Sequence, residues 1–204
     1  MSLDCIVLAG GQSKRMGRDK AFLPFKNKTF LRNILERIDG FCSRFLIVVN
    51  KDFSLYEEQV KDLKSKVVFI KDINPYDGPL NGIVSAYPYI KSEKVLITTC
   101  DTPVINTELL QKLSIQLNNY DAVIPEIDSK IQPLNTFYTK NAVEKAVEIY
   151  KQGKKSLMAW LDNLNYKTIN KEYIRKYDKE ILTYKSINTP ESYKWLLEKE
   201  DKIK

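Results

Sequence analysis

The sequence predicts an α/β protein built on a doubly wound, mostly parallel sheet flanked by helices, and two observations carry that expectation. Four short apolar runs, CIVL (5–8), FLIVV (45–49), VVFI (67–70) and VLIT (95–98), are continuous instead of alternating with polar residues. Strands covered by helices on both faces read this way, because neither set of side chains meets water. Segments with helical apolar spacing separate these runs, and a β-α-β-α order places sequential strands side by side in parallel.

Taken in order, the strand at 5–8 leads to a helix at 30–39, where Leu31, Ile34, Leu35 and Ile38 form one stripe. The strand at 45–49 precedes a helix at 55–63, the strand at 67–70 a helix at 80–89, and the strand at 95–98 a helix at 107–117. In the last of these Leu109, Leu110, Leu113 and Leu117 repeat the stripe. The second half is less regular, with strands expected at 122–124, 136–138 and 182–184 and helices at 142–150, 157–161 and 190–197. A chain of 204 residues is expected to form a single domain (1–204), its later part covering one side of the sheet and shaping a site.

Composition narrows the chemistry. A hydrophobic fraction of 43% with 29% charged residues supports a buried core and excludes global disorder. No apolar run approaches the ~20 residues of a membrane-spanning helix, and the opening MSLDCIVLAGG lacks a basic stretch ahead of a secretory apolar one, so a cytoplasmic address is expected. Cys5, Cys42 and Cys100 have no C-x-x-C spacing, which argues against a disulfide framework or a zinc cage. Cys5 and Cys100 read as buried packing residues, and Trp160, Trp195, Tyr173 and Tyr177 as core packing or simple surface coverage. Histidine is absent, which removes Ser-His-Asp and Cys-His machinery and any imidazole base. Carboxylates, lysine, arginine, backbone amides and a hard metal ion remain, a set suited to phosphate chemistry. The net charge of +7 favours polyanionic ligands without choosing among them.

In an open α/β sheet, ligands bind beyond the carboxyl ends of the strands. The first strand runs into AGGQSKRMGRDKA, the second into Asn50, the third into Lys71-Asp72, the fourth into Asp101. Gly10 and Gly11 let backbone amides approach an oxyanion, Gly17 adds a second flexible point, and Lys20, Arg15, Lys14 and Arg18 offer cations to phosphate oxygens. The loop is neither a Walker loop, since Arg18 follows Gly17, nor a G-x-G-x-x-G turn, since its leading glycines are adjacent. Asp101 suits a hard cation, and also suits the cap of a following helix. Asp72 and Asn50 each read equally as turn residues, and Gly78 and Gly82 as close packing of helix on sheet.

LAGGQSKRMGRDKA (8–21) resembles the opening motif of the molybdenum cofactor guanylyltransferase family of nucleotidyltransferases, LAGGxSxRMGxDKA, at every fixed position. Gly78-Pro79-Leu80 with Gly82, Cys100-Asp101-Thr102-Pro103, Gln132-Pro133-Leu134 and Asn188-Thr189-Pro190-Glu191 resemble later blocks of the family in the same order. The resemblance implies a Rossmann-like fold and transfer of GMP from GTP to the terminal phosphate of molybdenum-bound molybdopterin, releasing pyrophosphate. It implies that Leu8, Ala9, Gly10, Gly11 and Lys20 hold GTP, that Asn50 and Asp72 contact the nucleoside, and that Asp101 binds the nucleotide through Mg²⁺. Lys20, Arg15 and Asp101 are thereby the expected catalytic residues, and Gly78, Gly82, Gln132 and Asn188 fall on the pterin side. A nucleotide half (about 1–105) and an acceptor half (about 106–204) follow. The implied partners are GTP, the molybdenum-molybdopterin acceptor, and molybdenum-insertion and molybdoenzyme-maturation proteins, with neither nucleic acid nor membrane. Two departures stand out: Ser186 replaces the first asparagine of an N-x-N-T-P arrangement, with shorter reach, and CDTP replaces a frequent CDMP. The competing readings are a cytidylyl- or sugar-phosphate nucleotidyltransferase and a basic nucleotide- or nucleic-acid-binding module without catalysis, which steep salt dependence and indifference to the base would reveal.

Overall fold

The computed structural model describes residues 2–11, 16–199 and 203. In chain order the elements are β1 (Asp4–Leu8), a small hairpin of β2 (Pro24–Phe25) and β3 (Lys28–Thr29), α1 (Phe30–Ile38), β4 (Arg44–Val49), α2 (Glu57–Val60), β5 (Lys66–Lys71), α3 (Pro79–Ala86), β6 (Lys94–Thr99) and α4 (Thr107–Ile115). They continue as β7 (Ala122–Ile127), β8 (Lys130–Ile131), β9 (Thr136–Thr139), α5 (Lys140–Lys151), α6 (Leu157–Leu161), β10 (Tyr166–Ile169), α7 (Lys171–Arg175) and α8 (Pro190–Glu198).

The main sheet runs β10-β7-β9-β6-β1-β4-β5, with β8 attached to β7. β1 lies parallel between β4 and β6, with Leu8 opposite Val48 on one side and Thr99 on the other. β5 is parallel to β4 and β10 to β7, while β9 is antiparallel to both β6 and β7. The order β5-β4-β1-β6 is that of a doubly wound sheet, and the winding reverses between β1 and β6.

The continuous apolar runs have the expected consequence. Alternate residues of β1 enter opposite cores: Cys5 and Val7 pack with α1, α4 and α7 on one face, and Ile6 with α3, α5 and α6 on the other. Trp160 is fully buried in the second core, stacked on Tyr138 at 4.5 Å and donating its indole N–H to the Ala142 carbonyl at 2.8 Å. Cys5, Cys42 and Cys100 are buried and unpaired by disulfides, as packing residues should be. No helix among the described residues is long and apolar enough to cross a membrane.

Three expectations need correction. The later part of the chain does not cover one side of the sheet; it extends the sheet through β9, β7 and β10 and places helices on both faces. The segment 182–184 is a 3-10 turn, because the Asp178 carboxylate accepts the amides of Leu182 at 3.0 Å and Thr183 at 2.8 Å. Two donors that a strand would offer its neighbour are thereby consumed. The helix expected at 55–63 shrinks to the four residues of α2 after a 3-10 turn at Phe53–Tyr56; Lys61, already extended, ends it, and Asp62 follows with φ +60°. β10 and α7 escaped the sequence reading because β10 is a half-exposed edge strand with only Ile169 buried.

At the amino end of β1, Asp4 is fully buried and receives two bonds from Arg44, Nε at 2.9 Å and Nη2 at 2.6 Å. The Lys91 and Ser92 amides donate to the same carboxylate at 2.7 and 3.0 Å. This ion pair staples β1, β4 and the approach to β6 at the end of the sheet remote from the ligand side.

Candidate active site

The chain leaves β1 where the sheet changes direction. The Ala9 amide still donates to the Val48 carbonyl at 2.9 Å, and the Cys100 amide to the Leu8 carbonyl at 3.1 Å, so the strand ends are pinned while the loops beyond them diverge. Gly10 is required by contact: a Cβ there would sit 2.8 Å from Nδ2 of Asn50. That amide donates to the Gly10 carbonyl and ties the first loop to the end of β4. Asn50 Oδ1 is buried without a partner. Gly11 faces open space. Lys14 and Arg15, expected to meet phosphate, lie outside the described residues.

Downstream, Asp19 caps a 3-10 turn at Lys20–Phe22 by accepting the Ala21 amide at 3.1 Å, and pairs with Lys51 at 2.9 Å. The turn aims Lys20 into the cleft. Its ammonium donates to Oδ1 of Asn188 and lies 3.6 Å from Oδ2 of Asp101, with both charged side chains less than a fifth exposed. Asp101 follows β6 and does not cap a helix, because α4 begins at Thr107 and its cap is Asn106, which accepts the Leu109 amide at 2.9 Å. That leaves Oδ1 of Asp101 buried with no hydrogen-bond partner. The Asp101 carbonyl accepts the Ile187 amide at 2.8 Å, which brings the Asn188-Thr189-Pro190-Glu191 segment to the same place.

Asp72 follows β5 and is buried, and its carboxylate bonds to α3 instead of capping the Asn74-Pro75 turn. Its Oδ1 accepts from the Asn81 amide and from the Ser85 hydroxyl at 3.3 Å, both on α3. Burial pushes its carboxyl up to about 6; the Ser85 hydrogen bond opposes that rise only in part. Gly78, with φ +92°, precedes α3 without a side-chain cap, and Pro79 at the first helical position carries no N–H. Gly82 is small for packing reasons, since a Cβ would meet Leu8 Cδ2 at 2.8 Å.

These strand ends enclose a cleft of about 380 Å³ that brings together Leu8, Gly10, Gly11, Lys20, Asp72, Gly78, Gly82 and Asp101. Ala9 and Asn50 stand behind its wall, Asn188 reaches it through Lys20, and Ser186 is exposed. Gln132 stays outside, its backbone N–H donating to the Pro125 carbonyl at 2.7 Å and its side-chain amide to the Lys130 carbonyl at 3.2 Å, and Leu134 lines the cleft in its place. Sequence reasoning did not foresee Tyr76 or Thr99 as wall residues, and named Leu134 only as part of the Gln132-Pro133-Leu134 block. It also missed Asn135, a buried hub with φ +58°. Asn135 accepts from Thr98 at 2.6 Å and donates to Thr102 at 2.9 Å and to the Thr183 carbonyl at 2.6 Å, bracing the Asp101 loop from behind. Its signal was an asparagine at a turn, the side chain that best tolerates positive φ after glycine.

Among the described residues the site offers the Lys20 ammonium, a carboxylate with an unused buried oxygen, exposed loop backbone and apolar walls. The unused Asp101 oxygen is the donor a hard cation takes. Among the described residues no three acidic or thiol side chains gather to form a cage, so a cation here would draw most of its ligands from substrate oxygens and water.

The MobA-like NTP transferase domain family matches residues 5–167. A probable molybdenum cofactor guanylyltransferase from Bacillus mycoides is 34% identical over 191 residues, covering 92% of each chain. The crystal structure of molybdopterin-guanine dinucleotide biosynthesis protein A from Archaeoglobus fulgidus superposes with a TM-score of 0.80 at 25% identity, covering 98% of this chain and 99% of that one. A 4-diphosphocytidyl-2C-methyl-D-erythritol synthase from Anaerococcus prevotii, at TM-score 0.75 and 13% identity over 97% of both chains, shares the fold alone. With an adjacent-glycine loop and a lysine–aspartate pair at the reversal of a doubly wound sheet, this chain belongs to the MobA-like NTP transferase family.

Proposed function

We propose that the protein transfers GMP from GTP to the terminal phosphate of molybdenum-bound molybdopterin, releasing pyrophosphate. The observation that carries the reading is the Lys20–Asp101 pair beside the Gly10-Gly11 loop, in a chain 34% identical to a relative named for this activity. An oxygen of the acceptor phosphate forms a bond to the α-phosphorus as the bond to the β-phosphate oxygen breaks. A phosphate nucleophile carries no proton that must be removed, so a chain without histidine lacks nothing the reaction needs. The obstacle is two polyanions approaching each other, and positioned positive charge lowers it.

In this reading the Gly10-Gly11 backbone and Lys20 hold the triphosphate, and Lys20 with Arg15 offsets charge growing on the departing pyrophosphate. Asp101 would hold Mg²⁺ through its unpartnered oxygen, and such an ion supplies charge neutralisation between phosphate oxygens. Asp72 and Asn50 serve the nucleoside, Asn50 by holding the loop at Gly10. The start of α3, uncapped by a side chain between Gly78 and Gly82, would receive the acceptor phosphate. In this reading a nucleotide half (about 1–105) and an acceptor half (about 106–204) share one sheet, β6 of the first pairing with β9 of the second.

Incubation with GTP, Mg²⁺ and molybdenum-loaded molybdopterin, followed by mass detection, should yield the guanine dinucleotide; CTP should yield little. Preferential stabilisation by CTP in thermal shift, or a cytosine product, would overturn the guanine assignment.

Asp72 gives a pH test. As a carboxylate it accepts hydrogen bonds from a nucleoside; as a neutral acid it loses that charge-assisted strength. GTP affinity should therefore rise roughly tenfold from pH 5 to pH 7 with a midpoint near 6, and Asp72→Asn should flatten the profile. Stability moves oppositely. Between the ordinary 3.8 and about 6 the folded chain holds the extra proton, so this group's contribution to folding declines as pH rises through that window. Calorimetric titration of GTP at several pH values checks it, and a flat wild-type profile refutes the role.

A further inference from the structure

The connection from β5 to α3 holds a strained residue at the edge of the cleft. Residues 74–77 close a turn in which the Asp77 amide donates to the Asn74 carbonyl at 3.2 Å. Pro75 takes the second position and Tyr76 the third, with φ +70°. Turns with positive φ at the third position select glycine or asparagine, because a larger side chain clashes with its own backbone there. A tyrosine in this conformation is an outlier that surrounding structure must hold in place.

The surroundings do hold it, from both flanks and not through the ring. The Asp77 carboxylate accepts from the Tyr150 hydroxyl at 2.7 Å and pairs with Lys155 at 2.8 Å. Asn74 donates to the same hydroxyl at 2.9 Å, and its carbonyl accepts the Asn81 amide at 2.8 Å. The ring itself is 49% exposed, so core burial does not account for keeping a bulky residue where glycine fits. Tyr76 is one of the residues that line the cleft, together with Asp72 and Pro79.

We propose that Tyr76 is a substrate-binding residue whose ring forms one face of the slot for a flat fused heterocycle that contains a 2-amino-4-oxo pyrimidine ring. This rests on the guanylyl-transfer reading, in which both the guanine of GTP and the pterin of the acceptor carry that ring. An aromatic face stacks on such a heterocycle, and the tethered turn presents it without ordering a loose loop at each binding event.

The experiment compares wild type, Tyr76→Gly and Tyr76→Phe by calorimetric titration of GTP, by KM for molybdenum-loaded molybdopterin, and by thermal unfolding. Tyr76→Gly should weaken GTP binding or raise the acceptor KM by about tenfold, the affected arm identifying which heterocycle stacks. Its unfolding temperature should be equal to or above that of wild type, because glycine relieves the backbone. Tyr76→Phe should restore binding. Unchanged GTP affinity and acceptor KM in Tyr76→Gly would overturn the inference, as would an unfolding temperature lowered by several degrees, which marks a structural ring. Wild type that fails to bind GTP would sink the guanylyl reading itself, whereas wild type and Tyr76→Gly binding both substrates equally sinks only Tyr76.

Discussion

A Lys20→Ala variant is expected to fold normally and to lose GMP transfer by about 10²–10³, the effect of removing one preorganised charge-stabilising group. Lys20 sits where three segments converge: the Asp19-capped turn, the Asp101 loop after β6, and Asn188 before α8. Its ammonium is thus held in place before substrate arrives, and the cost of ordering a flexible lysine falls on folding, not on the reaction. Both partners are largely shielded from water, so the charge acts at lower effective dielectric than on an open surface. The loss should appear in single-turnover rate at saturating GTP, because charge on the departing pyrophosphate grows only as the bond breaks. The unfolding temperature should fall only modestly, since the Asp101 carboxylate left without Lys20 keeps 19% of its surface exposed to water. A variant that retains near-normal turnover defeats the assignment of Lys20 as a catalytic residue. One that loses turnover only in proportion to a fall in folded fraction defeats it equally.

The largest effect on stability is expected at the other end of the sheet. Asp4→Ala should cost about 3–5 kcal/mol, as it leaves the largely buried Arg44 guanidinium and the Lys91 and Ser92 amides without their acceptor. For a chain of 204 residues that corresponds to roughly 6–20 °C in unfolding temperature. The pair need not be a large net gain over an apolar substitute; the penalty is that of breaking one side of it. Burial pushes the Asp4 carboxyl up, but Arg44 and then the two amides outweigh that and hold it below the usual carboxylate range. A depressed folded value means that its contribution is complete above the unfolded value of 3.8 and is lost as pH falls through the lower folded one. The difference between wild type and Asp4→Ala should therefore be full at pH 7 and shrink in strong acid. Chemical denaturation at both pH values measures it, and a difference below about 1 kcal/mol at pH 7 would remove the staple from the account.

The sequence alone determined the nucleotide side of this protein to a large extent. Continuous apolar runs specify strands covered on both faces, and β1 does send alternate residues into two cores. Residues after such strands must lie at the carboxyl ends of the sheet, which is why Gly10, Lys20, Asp72 and Asp101 could be grouped before any coordinate was known. The grouping works because a strand's direction and its next residues are local properties of the chain.

Tertiary structure decided what depends on contacts between distant segments. Whether Asp101 caps a helix or keeps a free oxygen depended on Asn106 taking the cap, and whether 182–184 is a strand depended on Asp178 taking its amides. Asn188 meeting Lys20 joins positions 168 residues apart, and Asn135 bracing the Asp101 loop joins three segments through one side chain. Tyr76 reads as an ordinary turn residue until its φ and its place on the cleft wall are seen together. Periodicity records which face of an element is apolar, but hydrogen bonds are competitions settled only when all candidate partners are brought within reach.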